Sequence, residues 1–265
     1  EPVNALRKLK KSSLRLAVND VGENKSHGLV SAGNTGALMA ISKFVLKTIS
    51  GINRPAIAGL MPSLRGEIVI LDLGANIDCS HINLVQFAIM GEIFSKSLLG
   101  IEKPKIGILN VGSEEIKGNA VVKKTFEDLE ALKPQVNFFG FIEGNDINKG
   151  VVDVVVTDGF SGNIALKTAE GVAELIIIFL QNAFKSSIIS KLGFLLSKTA
   201  LNRFKARIDP RKYNGAILLG LNGIVVKSHG GADSFGFLNA ISSAISLIQN
   251  DYNEEIKKKL LIYKE

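Results

Sequence analysis

Apolar runs rich in β-branched residues alternate with amphipathic stretches along most of this chain of 265 residues. Two of these runs, Ile68–Leu71 and Val151–Val156, are interrupted only by Asp153, which is typical of strands buried on both faces. A repeated strand-then-helix order favours a parallel sheet covered by helices on both sides. The sequence therefore predicts one α/β domain, a three-layer α/β/α sandwich with a mostly parallel sheet.

The same patterns predict the individual elements. Seven segments are predicted as strands: His27–Ala32, Ala56–Leu60, Glu67–Leu73, Lys105–Val111, Val136–Ile142, Val152–Thr157 and Gly223–Lys227. Six segments are predicted as helices: Ser12–Glu23, Gly36–Ile49, Asn83–Lys96, Asn119–Leu132, Ile164–Ala183 and Asp233–Gln249. The charged C-terminal stretch, Asp251–Glu265, is predicted to be helical and peripheral.

Composition narrows the class of protein. With 46% hydrophobic and 22% charged residues the chain reads as globular and soluble, and no apolar run approaches the ~20 residues of a membrane-spanning helix. The polar start does not resemble a signal peptide, and the absence of an initiator Met predicts a missing N-terminal segment. The single cysteine, Cys79, excludes an internal disulfide framework and fits a reducing cytoplasm. A small buried hydrophobe is its favoured interpretation over a nucleophile.

The basic surplus of the chain is local. The net charge is +7, and between residues 182 and 212 eight Lys and Arg are opposed only by Asp209. Such a patch attracts an acidic protein, anionic lipid or nucleic acid. Within it, six apolar residues are predicted to share one helical face: Phe184, Ile188, Ile189, Leu192, Leu195 and Leu196. This pattern fits a helix lying in a lipid interface and, equally, a helical hairpin at a dimer interface.

Four short loops rich in Gly and Asn follow predicted strands: Ser31–Gly36, Asp72–Asn76, Asn110–Ser113 and Asp158–Asn163. Because strand-end loops of a parallel sheet emerge at the same edge, we expect them to share a pocket. Their N–H, amide and hydroxyl groups suit a phosphate or a developing oxyanion. Each loop alone is explained more simply as a turn with a good helix cap. No cluster of residues suits a metal.

Three side chains in or near strand-end loops are candidates for chemistry. Lys117 can hold a phosphate as a point charge, although it also fits as surface charge beside Glu114 and Glu115. Asn163 can donate to a carbonyl oxygen that gains negative charge. His229, within Lys227–Gly231, is a further candidate and equally a turn residue. His27 and His81 are interpreted as structural or surface residues.

Ten ordered stretches carry a family resemblance: Glu1–Arg7, Ser31–Met39, Arg54–Ala56, Asp72–Asn76, Gln86–Gly91, Leu109–Gly112, Lys117–Asn119, Val154–Asn163, Leu166–Thr168 and Lys227–Gly230. Taken in this order, they resemble the PlsX family of bacterial acyl-(acyl-carrier-protein):phosphate acyltransferases of phospholipid synthesis. The resemblance implies a Rossmann-like fold related to isocitrate and isopropylmalate dehydrogenases and to phosphate acetyltransferases. It also implies a cytoplasmic homodimer attached peripherally to the membrane.

The implied reaction converts an acyl-carrier-protein thioester and inorganic phosphate into an acyl phosphate, which serves a membrane glycerol-3-phosphate acyltransferase. In the family, the residues matching Lys117 and Asn163 are implicated in catalysis. We expect Lys117 and the helix start at Ser31–Thr35 to bind phosphate. Asn163 is expected to polarise the thioester carbonyl, and His229 is a secondary candidate. Neither a cofactor nor a nucleic-acid partner is expected. The predicted phosphate- and substrate-binding residues are Ser31, Gly33, Asn34, Thr35, Asp72, Asn76, Asn110, Asp158 and Ser161.

The chain also departs from the family pattern. The family's first strand with its Asp-Ala-Met-Gly-Gly-Asp loop is absent, so part of the pocket is expected to be missing. Asn145 stands where arginine is usual and Asn214 where glycine is usual, and Ser80-His-Ile-Asn83 replaces a common Pro-Glu-His. Asn145 and His81 are therefore given no role.

Two alternative functions are open to a chain with these features. A nicotinamide-dependent decarboxylating dehydrogenase uses a similar fold. That chemistry requires clustered Asp ligands for Mg²⁺ and an Arg cluster for the substrate carboxylates, and neither pattern is visible in the sequence. A non-enzymatic membrane-associated module that binds anions or a carrier protein explains the basic patch and the loops without catalysis.

Overall fold

A computed structural model describes residues 2–262, in which an eight-stranded mixed sheet lies between two layers of helices. The strands are β1 (Gly28–Ser31), β2 (Ala56–Ser63), β3 (Gly66–Leu71), β4 (Ile106–Leu109), β5 (Phe138–Ile142), β6 (Val154–Val156), β7 (Ala216–Leu219) and β8 (Ile224–Lys227). The helices are α1 (Pro2–Lys8), α2 (Ser13–Gly22), α3 (Thr35–Leu46), α4 (His81–Leu99), α5 (Ala120–Ala131), α6 (Gly144–Lys149), α7 (Gly159–Lys185), α8 (Ile188–Arg207), α9 (Ser234–Gln249) and α10 (Tyr252–Ile262). A 3-10 turn covers Pro210–Tyr213.

The sheet consists of two parallel parts that run in opposite directions. Its strand order is β1-β8-β7-β2-β3-β6-β4-β5. β1 and β8 are parallel, and so are β3, β6, β4 and β5. Between them, the β8–β7, β7–β2 and β2–β3 pairs are all antiparallel. Three reversals make the direction of β1 and β8 opposite to that of β3, β6, β4 and β5.

Alternating side chains of the strands build a core on each face of the sheet. On β3, Val69 and Leu71 join the core formed with α4, α5, α9 and α10. Ile68 and Ile70 point the other way and join the core that includes α6 and the start of α7. On that second face, α2 and α3 cover β8 and β7, and Met39 of α3 packs against both of these cores. The predicted three-layer α/β/α class is confirmed.

The structure confirms the seven predicted strands and six predicted helices, with shifted ends. It adds β7, which the sequence did not reveal because Ala216–Leu219 is four residues long with one β-branched side chain. The C-terminal helix was expected to be peripheral, and this is wrong for the side of α10 that faces the domain. Tyr252, Ile256 and Leu260 of α10 are buried in the core beside α4, because they recur every four residues on one helical stripe.

The basic segment forms the end of a helical hairpin. α7 ends at Lys185, and Ser187 caps α8 by accepting a hydrogen bond from Ser190 N–H at 3.0 Å. The predicted single apolar face is therefore split, because Phe184 lies on α7 and packs edge-on against Phe194 of α8, with ring centroids 5.5 Å apart. The only buried residues of α7 are Gly159 and Gly162, in its first turn, and α8 has none. The hairpin thus extends from the body of the domain.

Among residues 2–262, α4 is the helix long and apolar enough to cross a membrane by length and composition. Most of it is buried inside the domain, and Phe87, Met90 and Phe94 are fully inaccessible. A core helix that packs against a sheet and three other helices needs apolar residues on most sides, which explains the composition of α4.

Candidate functional site

Three of the predicted loops lie together at the carboxyl ends of neighbouring strands. The loop 72–76 follows β3, the segment 157–163 follows β6 and the loop 110–119 follows β4, and these strands are parallel neighbours. The predicted loop Asp158–Asn163 is helical from Gly159 onward, because Asp158 caps α7. Asp72 N–H donates to Thr157 O at 2.9 Å and Gly159 N–H donates to Asn76 O at 2.7 Å. We call these segments the three-loop cluster. Here the prediction that strand-end loops share one edge of the sheet is confirmed.

Asp72 is the internal anchor of the three-loop cluster. Its side chain is inaccessible to solvent, and Oδ1 accepts from the N–H groups of Ile57, Gly74 and Ala75 at 3.0, 3.2 and 3.0 Å. Oδ2 accepts from the N–H and the side-chain amide of Asn76 at 2.7 and 2.8 Å. Burial raises the pKa of Asp72, while the hydrogen bonds from Ala75, Ile57 and Asn76 oppose that rise. The carboxylate therefore organises the loop rather than reaching toward a ligand.

Replacing Asp72 with Asn is expected to destabilise the fold, because the amide group points N–H donors at groups that are themselves donors. Leaving buried N–H groups without an acceptor costs about 1–3 kcal/mol, and the loss is measured as the free energy of unfolding in urea. Asp78→Asn is the matched control, since Asp78 is exposed and its carboxylate forms no ion pair among residues 2–262. Equal stability of the two variants would contradict this role of Asp72.

The start of α7 packs against this anchored loop with no room for side chains. A Cβ at Gly159 would lie 2.7 Å from Asn76 O, and one at Gly162 would collide with Asp72 O. Asp158 caps the helix, since its carboxylate accepts from Ser161 N–H at 2.8 Å and from Ser161 Oγ at 3.0 Å. The two glycines let the N-terminus of α7 approach the 72–76 loop, and the cap fixes its direction.

Asn163 is the polar side chain that this arrangement leaves free. It lies in the second turn of α7 and is exposed, and its Cβ lies 3.7 Å from where a Cβ of Gly74 would be. Its amide has no hydrogen-bond partner among the described residues. By contrast, the amide of Asn76 donates to Pro55 O and to Asp72, both at 2.8 Å. Asn163 therefore has donors available to a bound molecule.

Lys117 lies in the neighbouring loop after β4. Its Nζ lies 2.8 Å from Glu114 Oε2, and its side chain crosses over Gly112, where a Cβ would collide with it. Asn110 braces the loop by donating to Gly112 O at 3.0 Å and Lys117 O at 3.2 Å. The Glu114 carboxylate raises the pKa of Lys117, so this ammonium stays charged at neutral pH. Asn110 has a structural role, and Lys117 is the cation of the cluster.

The fourth Gly/Asn loop and the segment that carries His229 leave the sheet in the opposite direction. Ser31–Gly36 follows β1 and the loop 228–231 follows β8, and Ser228 N–H donates to Ser31 O at 2.9 Å. We call them the two-loop cluster. The expectation that all four Gly/Asn loops emerge at the same edge is wrong for Ser31–Gly36, because the sheet reverses direction at β7, β2 and β3.

The two clusters still begin at nearly the same level along the strands of the sheet. Through the strand pairing, Ser31 and Lys227 are in register with Ala216, one residue from the row that holds Leu71, Val156 and Ile108. β7 and β2 separate the clusters laterally, and neighbouring strands are ~4.8 Å apart. One loop of each cluster leads into a helix on the same sheet face, α3 from the two-loop cluster and α7 from the three-loop cluster. The two clusters thus flank a shared stretch of that face.

Within the two-loop cluster, most predicted ligand groups satisfy local hydrogen bonds. Ser31 Oγ accepts from Gly33 N–H at 3.2 Å, and Asn34 Oδ1 caps α3 by accepting from Ala37 N–H at 2.9 Å. Thr35 is exposed at the first position of α3. The backbone N–H groups at this helix start carry partial positive charge, so the segment is suited to an anion.

His229 is exposed, and its ring orientation is set by its own loop. Nδ1 lies 3.1 Å from Gly231 N, which can only donate. In the neutral ring the proton therefore lies on Nε2, which is a donor toward solvent. Asn214 holds this loop: it accepts from His229 N–H at 2.8 Å and donates to Ser228 Oγ and Gly236 O at 2.8 and 2.7 Å. The sequence marked Asn214 only as a departure from a family glycine.

The remaining reactive side chains do not join either cluster as nucleophiles or ligands. Burial, reinforced by the charges of Asp72 and Asp158, raises the pKa of Cys79 to about 11, which keeps it a thiol at neutral pH. His81 Nδ1 lies 2.7 Å from Asp128 Oδ2, and His27 is exposed. Within residues 2–262, no three His, Cys, Asp or Glu side chains are grouped so as to hold a metal ion.

Two partly open pockets lie away from the loop clusters. One of about 300 Å³ is lined by residues of α4, α5, α10 and the segment before β2, including Gln86, Asp128 and Leu260. The other, of about 350 Å³, lies at the β2–β3 turn beside Arg65, Gly150 and Asp153. The chemistry-bearing side chains, Asn163 and Lys117, are on open surface instead.

Comparison with known proteins identifies the family. The profile of the family described as "Fatty acid synthesis protein" matches residues 1–255. Phosphate acyltransferases from Paramagnetospirillum magneticum and Rhodospirillum rubrum are 56% and 53% identical to the chain, and each match covers 98% of this chain and 74% of the relative. The chain belongs to the phosphate acyltransferase family. It is an acyltransferase of fatty acid and phospholipid synthesis.

Solved structures show the same fold at lower identity. A phosphotransacetylase from Streptococcus pyogenes superposes with a TM-score of 0.61 at 22% identity, over 88% of this chain and 66% of that one. A branched-chain phosphotransacylase from Enterococcus faecalis gives 0.57 at 13% identity, over 89% and 78%. The chain thus spans about two thirds of the length of the first of these structures and about three quarters of the two phosphate acyltransferases. These structural likenesses support the predicted fold.

Proposed function

We propose that this chain transfers a fatty acyl group from the thioester of an acyl carrier protein to inorganic phosphate. The product is an acyl phosphate for phospholipid synthesis. The observation that carries the mechanism is the free amide of Asn163, held at the start of α7 beside Gly74 and next to the loop that bears Lys117. The family supports the acyl transfer to phosphate, and the identity of the donor rests on the sequence resemblance.

Asn163 is positioned to stabilise the oxyanion of the reaction. When phosphate attacks the thioester, the carbonyl oxygen becomes negative, and a preorganised N–H donor stabilises that charge most strongly in the transition state. The backbone that carries the Asn163 amide is held in place because α7 is capped by Asp158 and packed against the 72–76 loop through its two glycines. No partner within residues 2–262 competes for this amide.

Lys117 is suited to hold the attacking phosphate. Phosphate near neutral pH is largely dianionic, so a nearby ammonium attracts and orients it. Glu114 now occupies the ammonium at 2.8 Å. Because both side chains are about half exposed, a dianion can replace this carboxylate as the partner of Lys117 at little cost.

The reaction balances without a protein nucleophile. One phosphate oxygen forms a bond to the carbonyl carbon, and the tetrahedral adduct then breaks its C–S bond to give the acyl phosphate. The sulfur leaves as a thiolate, which resembles a free thiol with pKa ~8.5 and needs little acid assistance. His229, with its proton on Nε2, is proposed as a secondary donor to phosphate or to the leaving sulfur.

The proposed reaction is tested by identifying its product. Purified protein is incubated with a long-chain acyl thioester of acyl carrier protein and inorganic phosphate, and the mixture is followed by phosphorus NMR. We expect a new acyl phosphate resonance that hydroxylamine removes, with one free carrier thiol per acyl phosphate. Thioester hydrolysis to free fatty acid with no phosphorus-containing product would reject the proposal.

We further propose that the hairpin attaches the protein to the cytoplasmic membrane surface and that the protein acts as a homodimer. On α8, five apolar side chains are 57–87% exposed: Ile188, Ile189, Leu192, Leu195 and Leu196. Around them, seven of the eight basic side chains of the patch have no ion pair within residues 2–262, Arg211 being the exception: Lys185, Lys191, Lys198, Arg203, Lys205, Arg207 and Lys212. An exposed apolar face among basic residues fits anionic lipid, and the exposed apolar residues of α7 fit a second copy of the chain.

Leu192→Glu combined with Leu195→Glu is expected to release the protein from anionic liposomes. Both side chains lie on the exposed face of α8, so the charges would oppose insertion without disturbing the core. The measurement is cosedimentation with vesicles that contain phosphatidylglycerol, with Leu192→Met and Leu195→Met as the apolar control. Unchanged sedimentation of the Glu variant, together with loss of its dimer on gel filtration, would instead assign this face to the dimer.

A further inference from the structure

Lys227 is a partly buried cation without a carboxylate partner. It ends β8 and is half-buried, and its Nζ donates only to Ser228 O. No Asp or Glu of residues 2–262 forms an ion pair with it. Loss of solvent around the ammonium lowers the pKa of Lys227, and no other group contributes to the shift.

Elsewhere the chain pairs a lysine that it removes from water. The side chain of Lys259 is 21% exposed, and its Nζ lies 2.8 Å from Glu92 Oε1 and 3.1 Å from Gln135 O. Partial burial of an unpaired ammonium is unfavourable, because the lost hydration is not replaced by an opposite charge. In contrast to Lys259, Lys227 keeps a charge that no carboxylate of the described residues neutralises and that an anion outside the chain could neutralise.

The position of Lys227 shows where that partner binds. Lys227 is in register with Ser31 across β1 and β8. Side chains alternate along a strand, so Lys227 shares the sheet face of Val225, which packs against α2 and α3. The ammonium therefore lies at the base of the two-loop cluster, on the face that leads to α7.

The backbone beside Lys227 is held in place. The Asn214 side chain holds both residues that follow Lys227, because it donates to Ser228 Oγ and accepts from His229 N–H, each at 2.8 Å. It also donates to Gly236 O at 2.7 Å. Ser228 N–H is bonded in turn to Ser31 O at 2.9 Å. A fixed backbone lets the lysine present its charge without ordering the loop when an anion binds.

We propose that Lys227 binds a phosphate group of a substrate in the two-loop cluster. This inference rests on the acyl transfer proposed above, which involves two such groups. One is the inorganic phosphate acceptor, and the other is the phosphodiester of the pantetheine arm that carries the acyl thioester. An arm bound there by its phosphodiester would extend along the sheet face toward the three-loop cluster, where the thioester meets Asn163.

The test compares Lys227→Met with Lys43→Met in steady-state kinetics. Lys43 is exposed in the last turn of α3 and has no ion pair within residues 2–262, so it is a matched control. We expect Lys227→Met to raise KM about 10-fold or more for the substrate whose phosphate it binds, the scale of one lost bond to a charged group. Lys227→Arg should retain most of the affinity.

The kinetic result also separates the two sources of phosphate. With an acyl N-acetylcysteamine thioester, which lacks the phosphodiester, the defect persists if Lys227 binds inorganic phosphate and disappears if it binds the arm. An unchanged KM for both substrates in Lys227→Met would overturn the inference. An unmodified protein that transfers no acyl group would instead reject the proposed function itself.

A second measurement needs no variant. Lysines of the unmodified protein are acetylated with acetic anhydride, with or without inorganic phosphate or pantetheinylated carrier protein, and quantified by mass spectrometry. We expect at least one of these to slow labelling of Lys227 relative to Lys43. Equal labelling of Lys227 in all conditions would contradict the inference even if Lys227→Met failed to fold.

Discussion

Asn163→Ala is expected to lower kcat for acyl transfer by about 100-fold or more, the usual scale for losing one oxyanion donor. The structure leaves the amide of Asn163 without a partner and holds its helix start rigidly through Asp158 and Gly162. The substitution removes an exposed side chain, so the fold should be retained. The measurement is the initial rate of thiol release at saturating donor and phosphate.

Two companion variants make this result specific to a donated hydrogen bond. Asn163→Asp has the same shape but places a negative charge where the oxyanion forms, so it should be at least as inactive as Asn163→Ala. Asn148→Ala removes another exposed helical asparagine and should retain full activity. Near-normal kcat in both Asn163 variants would remove Asn163 from the mechanism.

Lys117→Ala is expected to reduce kcat/KM for phosphate by about 100-fold, because the variant lacks the cation of the three-loop cluster and retains the Glu114 carboxylate, which repels a dianion. Glu114→Gln is the informative partner variant. It frees the ammonium from its ion pair and should preserve or improve phosphate affinity. In the double variant that combines Lys117→Ala with Glu114→Gln, kcat/KM for phosphate should recover only part of the loss seen in Lys117→Ala.

The pH dependence of these variants follows from the direction of the pKa shift. Glu114 raises the pKa of Lys117 from its ordinary value, so the ammonium is charged at neutral pH and activity should not fall through its deprotonation there. Lys117→Arg, which keeps the charge, should retain part of the activity. Full activity of Lys117→Ala at low phosphate concentration would contradict this role.

Much of the fold could be predicted from the sequence, because long apolar and amphipathic periods set it. Ile68–Leu71 and Val151–Val156 were recognisable as central strands from their continuous apolar character. The direction of the strands could not be predicted, because two of the three reversals involve β7, a four-residue strand of Ala-Ile-Leu-Leu. For the same reason, the sequence placed all four Gly/Asn loops at one edge of the sheet.

The candidate site divides in a similar way. Motif and family resemblance singled out Asn163 and Lys117, and their catalytic role stays a prediction. Asp72, Asn76 and Asn110 were predicted as ligands, and the structure shows that their side chains form internal hydrogen bonds. A sequence cannot show which amide is satisfied by its own loop. Lys227 and Asn214 were missed as functional candidates. The burial of Lys227 without a counter-charge and the three hydrogen bonds of the Asn214 side chain exist only in the folded chain.

The most direct test of the central claim is phosphate-dependent thiol release from an acyl-carrier-protein thioester, measured without nicotinamide or added metal. We predict that the rate rises with phosphate to saturation and that no thiol is released in its absence. A dehydrogenase on a similar fold would require nicotinamide, and a binding module would bind the carrier protein without turnover. Thiol release that is absent, or independent of phosphate, would contradict the account.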